Sequence, residues 1–189
     1  MHRLAPLLLL SLAACGGEAD SGNEDVQRVS LEDMQPRQAE ADPSPDTSAA
    51  SWRVAPDGQA IMFGNAGEPP LLTLACEVDA DPPALLVIRH ARALPGQKAL
   101  FPVMGNGSTS RFLVDAVLAN NEWHWQARLP ADDPQLEVFA GPRDIEATLP
   151  GRGMLEIAGS RYPGEFIEWC KVGGRPQPVV VEQNQLDQD

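Results

Sequence analysis

Hydrophobic and polar positions alternate with period two over much of the chain. Phe112, Val114, Ala116 and Leu118 alternate with Arg111, Leu113, Asp115 and Val117. Trp123, Trp125, Ala127 and Leu129 then alternate with Glu122, His124, Gln126 and Arg128. Such alternation marks strands whose two faces meet different surroundings. Asn120-Asn121 stands between the two runs, and Asn tolerates the positive φ of a tight turn. The pattern predicts a β-hairpin.

Further strands are expected over 59–64, 71–76, 84–91, 99–104, 136–139, 145–149 and 154–158, with Pro and Gly between them. Ala84 to Ile88 is continuously apolar, as in a central strand buried on both faces. Gly105-Asn106-Gly107 punctuates the strands, and residues 107–110, Gly-Ser-Thr-Ser, read as a loop. Over 160–174 the period changes to that of a helix. Tyr162, Phe166 and Cys170 recur every four residues, Pro163 suits the first turn, and Gly173 suits the end. Glu165 in the first turn and Lys171 in the last complement the helix dipole. The fold expected is mainly β: a small sandwich or partly open barrel of about 7–9 strands with one short C-terminal helix.

Composition divides the chain. Residues 16–50 carry nine acids and two bases and no aromatic residue. Such a segment buries too little apolar area to offset its ordering entropy, so an acidic, extended tether is expected. Within it, 26–34 has weak helical spacing, read as a transient helix or a short docking motif. Every Trp, Phe and Tyr lies between Trp52 and Cys170. The expected organisation is therefore 1–14, 15–50, a β-rich domain over 51–181 and a polar tail over 182–189. The net charge of −13 disfavours nucleic acid, whose phosphates need Lys and Arg. It equally disfavours attachment to anionic lipid by charge, so any membrane contact needs another source.

The first residues supply one. Arg3 precedes an apolar run from Leu4 to Leu12. The run is shorter than the roughly 20 residues of a membrane span but suits a signal peptide. Leu12-Ala13-Ala14-Cys15 resembles the lipobox of bacterial lipoproteins. The resemblance implies cleavage before Cys15 and acyl chains on Cys15, with the membrane as a partner; several chains anchor stably where one is marginal. Gly16 in place of the Asp associated with inner-membrane retention points to the outer membrane, facing the periplasm.

With Cys15 assigned to lipid, Cys76 and Cys170 form an even pair in an oxidising compartment, and a disulfide between them is predicted. Cys76 shares strand parity with Leu72 and Leu74, and Cys170 lies on the apolar helix face. The bridge would pin the helix to the sheet, closing a loop for which chain entropy gives about 4–5 kcal/mol. An early Trp52, a cysteine ending an early strand and a second in a late helix also resemble small envelope β-sandwich proteins of the invasion-associated locus B type and accessory lipoproteins of secretion systems. No functional residue carries over from that resemblance.

Candidate chemistry is sparse. His124 is expected on an exposed polar strand face, and His90 as a strand-end histidine without a catalytic partner. No nucleophile elbow, closely spaced Cys/His cluster, calcium loop or phosphate-binding loop is legible, so no catalytic, metal or cofactor residue is assigned. Trp123 and Trp125 share one face of the hairpin. They read either as a core face or as an exposed aromatic patch for sugar or protein. The expected function is non-catalytic binding of another envelope component, with an envelope protein as the expected partner. The alternative is a hydrolase or a ligand carrier acting on cell-wall sugar or lipid. Facing carboxylates, or His90 against a carboxylate, would favour the hydrolase. An enclosed apolar cavity would favour the carrier.

Overall fold

The computed structural model describes residues 41–175. The expected signal peptide and lipobox, the expected tether up to residue 40, residues 176–181 of the expected domain and the expected tail over 182–189 lie outside the described residues. Nine strands are present among the described residues: β1 (Ser51–Val54), β2 (Ala60–Gly64), β3 (Leu72–Glu77), β4 (Ala84–Arg89), β5 (Lys98–Gly105), β6 (Ser108–Ala119), β7 (Glu122–Pro130), β8 (Ile145–Thr148) and β9 (Met154–Ile157). A 3-10 helix over Pro134–Phe139 and the helix α1 (Tyr162–Lys171) complete them. The strands form one antiparallel, nearly closed barrel-like sheet in the order β1-β2-β3-β4-β7-β6-β5-β8-β9. The fold is mainly β with one short C-terminal α-helix, as the alternation predicts.

The β6–β7 hairpin is confirmed in register, with Ala119 opposite Glu122 and Ala116 opposite Trp125. Asn120 (φ 50°) and Asn121 (φ 65°) supply the two positive φ angles that a two-residue hairpin turn requires. Alternation sorts the side chains. Phe63, Leu72, Leu74, Leu85, Phe101, Phe112 and Phe139 are fully buried and fill the interior. The Phe112 and Phe139 rings stack, with centroids 5.8 Å apart. Gly105 sits where β5 meets β8, opposite Ile145. A Cβ there would lie 2.7 Å from Ile145 Cγ1, so only glycine lets the strands close.

The helix caps the interior. Phe166, Ile167 and Cys170 are its buried face. It ends in a Schellman motif, with Gly173 N donating to Cys170 O and Gly174 N to Trp169 O. Cys76 and Cys170 are disulfide-bonded, with Cα atoms 5.7 Å apart, and tie α1 to β3 as predicted.

Four expectations are corrected here. Residues 136–139 are not a strand but part of the 3-10 helix. Pro134 opens it, Asp133 caps it by accepting from Gln135 N (2.8 Å), and Leu136, Val138 and Phe139 turn inward. Ser108, Thr109 and Ser110 are not a loop. They open β6 directly after a tight turn at Asn106 and Gly107, and Ser110 Oγ donates to Gln135 O. β1 was not anticipated, because four residues give too little alternation to read; it pairs with β2, Trp52 opposite Phe63.

The fourth correction is to the tether boundary at residue 50, because the segment before β1 already packs on the domain. Asp42 N donates to Gly151 O, Arg152 pairs with the Asp42 carboxylate at 2.9 Å, and Met154 N donates to Ser44 Oγ. Asn65 Nδ2 donates to Asp46 O. The segment thus runs from the β8–β9 turn to the β2–β3 loop. It bridges the gap between the two edge strands and satisfies an edge donor of β9.

Candidate functional site

Strand order creates a juxtaposition that the sequence separates. Placing β4 beside β7 sets Ile88 opposite Gln126 and Arg89 opposite Trp125. One step further, His90 and His124 come together on the outer face, with ring centroids 5.8 Å apart. On the other side, β3 sets Thr73 opposite Ile88. Thr73 Oγ1 and His90 Nε2 are 2.8 Å apart. His124 Nε2 lies 3.4 Å from Gln126 Oε1.

Thr73, Ile88, His90 and His124 line a cleft of about 890 Å³. Met62, Ile88, Pro69, Pro70 and Trp123 are among its apolar lining, with Glu122 and Asn120. A second cleft, of about 760 Å³, lies between α1 and the loop at Ala140. It mixes Arg161 and Arg175 with Glu165 and Glu168, and Glu168 is already paired with Lys171. The first cleft collects both described histidines, a hydroxyl and an indole, and is the better candidate.

Arg89 fixes the cleft from below. Strand parity turns it inward, where it is 3% exposed. Its Nη1 donates to Leu71 O (2.9 Å) and His90 O (3.0 Å). It has no carboxylate partner among the described residues, and burial lowers its pKa to about 10. His90 N also donates to Leu71 O. The backbone that carries His90 is therefore held on both sides. Burial, then the charge of His124, then that of Arg89 push the His90 pKa down to about 4. His90 is thus a neutral imidazole at neutral pH.

The arrangement limits the chemistry. Thr73 and His90 have the contact of a nucleophile and a base. No carboxylate is hydrogen-bonded to His90 among the described residues to orient it and stabilise its cation. Of the acids lining the cleft, Glu68 accepts from Asn65 Nδ2, and Glu122 stands at the hairpin turn. Thr73 itself is 7% exposed.

The tryptophan pair divides. Trp125 is 5% exposed and its Nε1 donates to Arg92 O, so it belongs to the core and not to a surface patch. Trp123, beside the hairpin turn, is half-buried and lines the cleft. The expectation of an exposed His124 is also overturned. The cross-strand approach of His90 leaves it 9% exposed. Cys76 and Cys170 are paired, and Cys15 lies outside the described residues.

On the outer sheet face, Leu100 and Leu113 are cross-strand neighbours and both exposed. That apolar pair is separate from the cleft. The outward parity of His124 was legible in the sequence. Its meeting with His90 was not, because it depends on β4 pairing with β7 rather than with β5. Compared with protein-family models, curated proteins and solved structures, the chain finds no match.

Proposed function

We propose that the chain is an envelope lipoprotein, anchored through acyl chains on Cys15, whose β-barrel domain binds another envelope component without catalysis. The cleft of His90, His124, Thr73 and Trp123 is its recognition surface. The observation that carries this reading is the composition of the cleft: an indole, two imidazoles, a hydroxyl and apolar lining, with no carboxylate set against His90. Such a mixture binds through shape and a few placed polar groups. The filled interior argues against the carrier alternative, since Phe63, Phe101, Phe112 and Phe139 occupy the space a lipid would need. The lipobox Leu12-Ala13-Ala14-Cys15 supports the anchor, and the cysteine pair supports an oxidising compartment.

Proximity crosslinking of the lipidated chain in its own envelope, followed by mass spectrometry, tests the proposal. Recurrent capture of one envelope component, lost in Trp123→Ala but kept in Leu113→Ser, is the expected result. Capture unaffected by Trp123→Ala would overturn the assignment of the cleft. Turnover of a cell-wall sugar or lipid by the purified chain would overturn the non-catalytic reading.

A further inference from the structure

The geometry points to a metal site in the cleft: His90 and His124 together bind one divalent first-row transition cation, of the Zn(II) or Cu(II) class, through their Nδ1 atoms. This inference does not depend on what the cleft recognises.

Three observations carry it. First, the two imidazoles come from neighbouring strands and meet across them on one face. Two imidazoles bound at about 2 Å to one tetrahedral cation place their ring centres about 5 Å apart. The observed 5.8 Å is within a small side-chain adjustment of that.

Second, both rings are oriented through the same atom. His90 Nε2 is held by Thr73 Oγ1 and His124 Nε2 by Gln126 Oε1. In the tautomer that donates Nε2–H to Gln126 Oε1, the lone pair of His124 is on Nδ1. Metal-binding histidines are held in this way, one nitrogen on an oxygen acceptor and the other on the cation.

Third, neither Nδ1 has a hydrogen-bond partner among the described residues. Neither is among the buried, unpartnered polar atoms of the described residues.

No group of three His, Cys, Asp or Glu side chains is close enough to hold a cation among the described residues. The cation would therefore have two protein ligands and open positions. Glu122, two residues before His124 on the same strand face, also lines the cleft. Water, Glu122 or a donor atom of the cleft's occupant would complete the shell. Imidazole suits zinc and copper, and for equal ligands affinity rises to Cu(II).

The test uses the full lipidated chain in detergent, without any partner, and zinc chloride as the probe. Calorimetric titration of the wild type is compared with His90→Asn, His124→Asn and the double variant, which sets the background. Imidazole nitrogen NMR on the wild type reports which nitrogen changes. The expected result is one zinc per chain above background, lost in both single variants. Both Nδ1 signals shift to metal-bound positions while both Nε2 stay protonated. Thr73→Val, which removes an orienting oxygen but no ligand, weakens uptake roughly tenfold. Zinc uptake equal in wild type and double variant, or no uptake at all, would overturn the site. So would unchanged Nδ1 signals in zinc-loaded wild type, a readout that needs no variant to fold. Trp123→Ala keeps zinc uptake, which separates this outcome from failure of the recognition surface.

Discussion

His90 and His124 stand with ring centroids 5.8 Å apart on neighbouring strands of the barrel, and the carbonyl of His90 is held by the buried guanidinium of Arg89. Two imidazoles and a guanidinium thus share one corner, without a bonded carboxylate among the described residues. This corner makes the domain sensitive to protons.

The first prediction concerns acid. The folded pKa of His90 is lowered to about 4, below its usual value of 6.5. The unfolded chain therefore binds a proton more readily than the folded one between those values. The contribution of His90 is complete above about pH 6.5 and is lost as pH falls toward about 4, a change on the order of 2–3 kcal/mol. Urea unfolding of wild type and His90→Gln at pH 7 and pH 4.5 isolates it from carboxylate titration. The variant should lose less stability on acidification than the wild type. Parallel losses would contradict the burial of a neutral His90.

Arg89 should be structural rather than a binding residue. Replacing it by Met removes the donor to His90 O and one of the two donors to Leu71 O. The expected cost is about 1–3 kcal/mol. Amide exchange should rise at Leu71 and His90 while the far side of the barrel is unaffected. An unchanged exchange pattern would show that the guanidinium does not hold the cleft.

The disulfide should hold α1 in place. Cys170→Ser removes a bridge between residues 94 positions apart and should cost about 2–5 kcal/mol. Hydrogen exchange should increase first over Tyr162–Lys171. Thiol titration of the unfolded, unreduced lipidated chain should find no reactive thiol. Two would contradict the bridge.

Trp123 and Trp125 should behave differently in spite of their shared parity. Trp125→Ala empties core volume and frees a carbonyl at Arg92, at a cost of about 3–5 kcal/mol. Trp123→Ala removes a half-buried ring and should cost roughly half as much or less. Thermal unfolding of both variants reads the difference directly. Equal losses would place Trp123 in the core and remove it from the cleft.

Much of this fold was legible from local pattern. Alternation on either side of Asn120-Asn121 gave the hairpin and its register. The four-residue recurrence of Tyr162, Phe166 and Cys170 gave the helix. The apolar run at Leu136–Phe139 misled, because a four-residue run carries no period. The signal that decides it is Asp133-Pro134, a cap followed by a helix opener. The candidate site was largely illegible. His90, His124 and Thr73 meet through the strand order β3-β4-β7, which local alternation does not encode. Parity alone also put Trp125 and Trp123 in one class. Their separation depends on distance from the barrel end, where Arg92 covers the first and leaves the second at the cleft.

We place recognition in the cleft rather than on the Leu100–Leu113 patch of a domain proposed to be lipid-anchored. Site-specific photocrosslinking tests it most directly. A photoreactive residue is placed at Glu122, on the rim of the cleft, or at Leu113, on the exposed outer face beside Leu100. Each variant is expressed as the lipidated chain and irradiated in the intact envelope. A discrete adduct from position 122 and none from position 113 is the predicted result. The adduct should disappear in the Trp123→Ala background. An adduct from position 113 alone would contradict the claim and move recognition to the Leu100–Leu113 face.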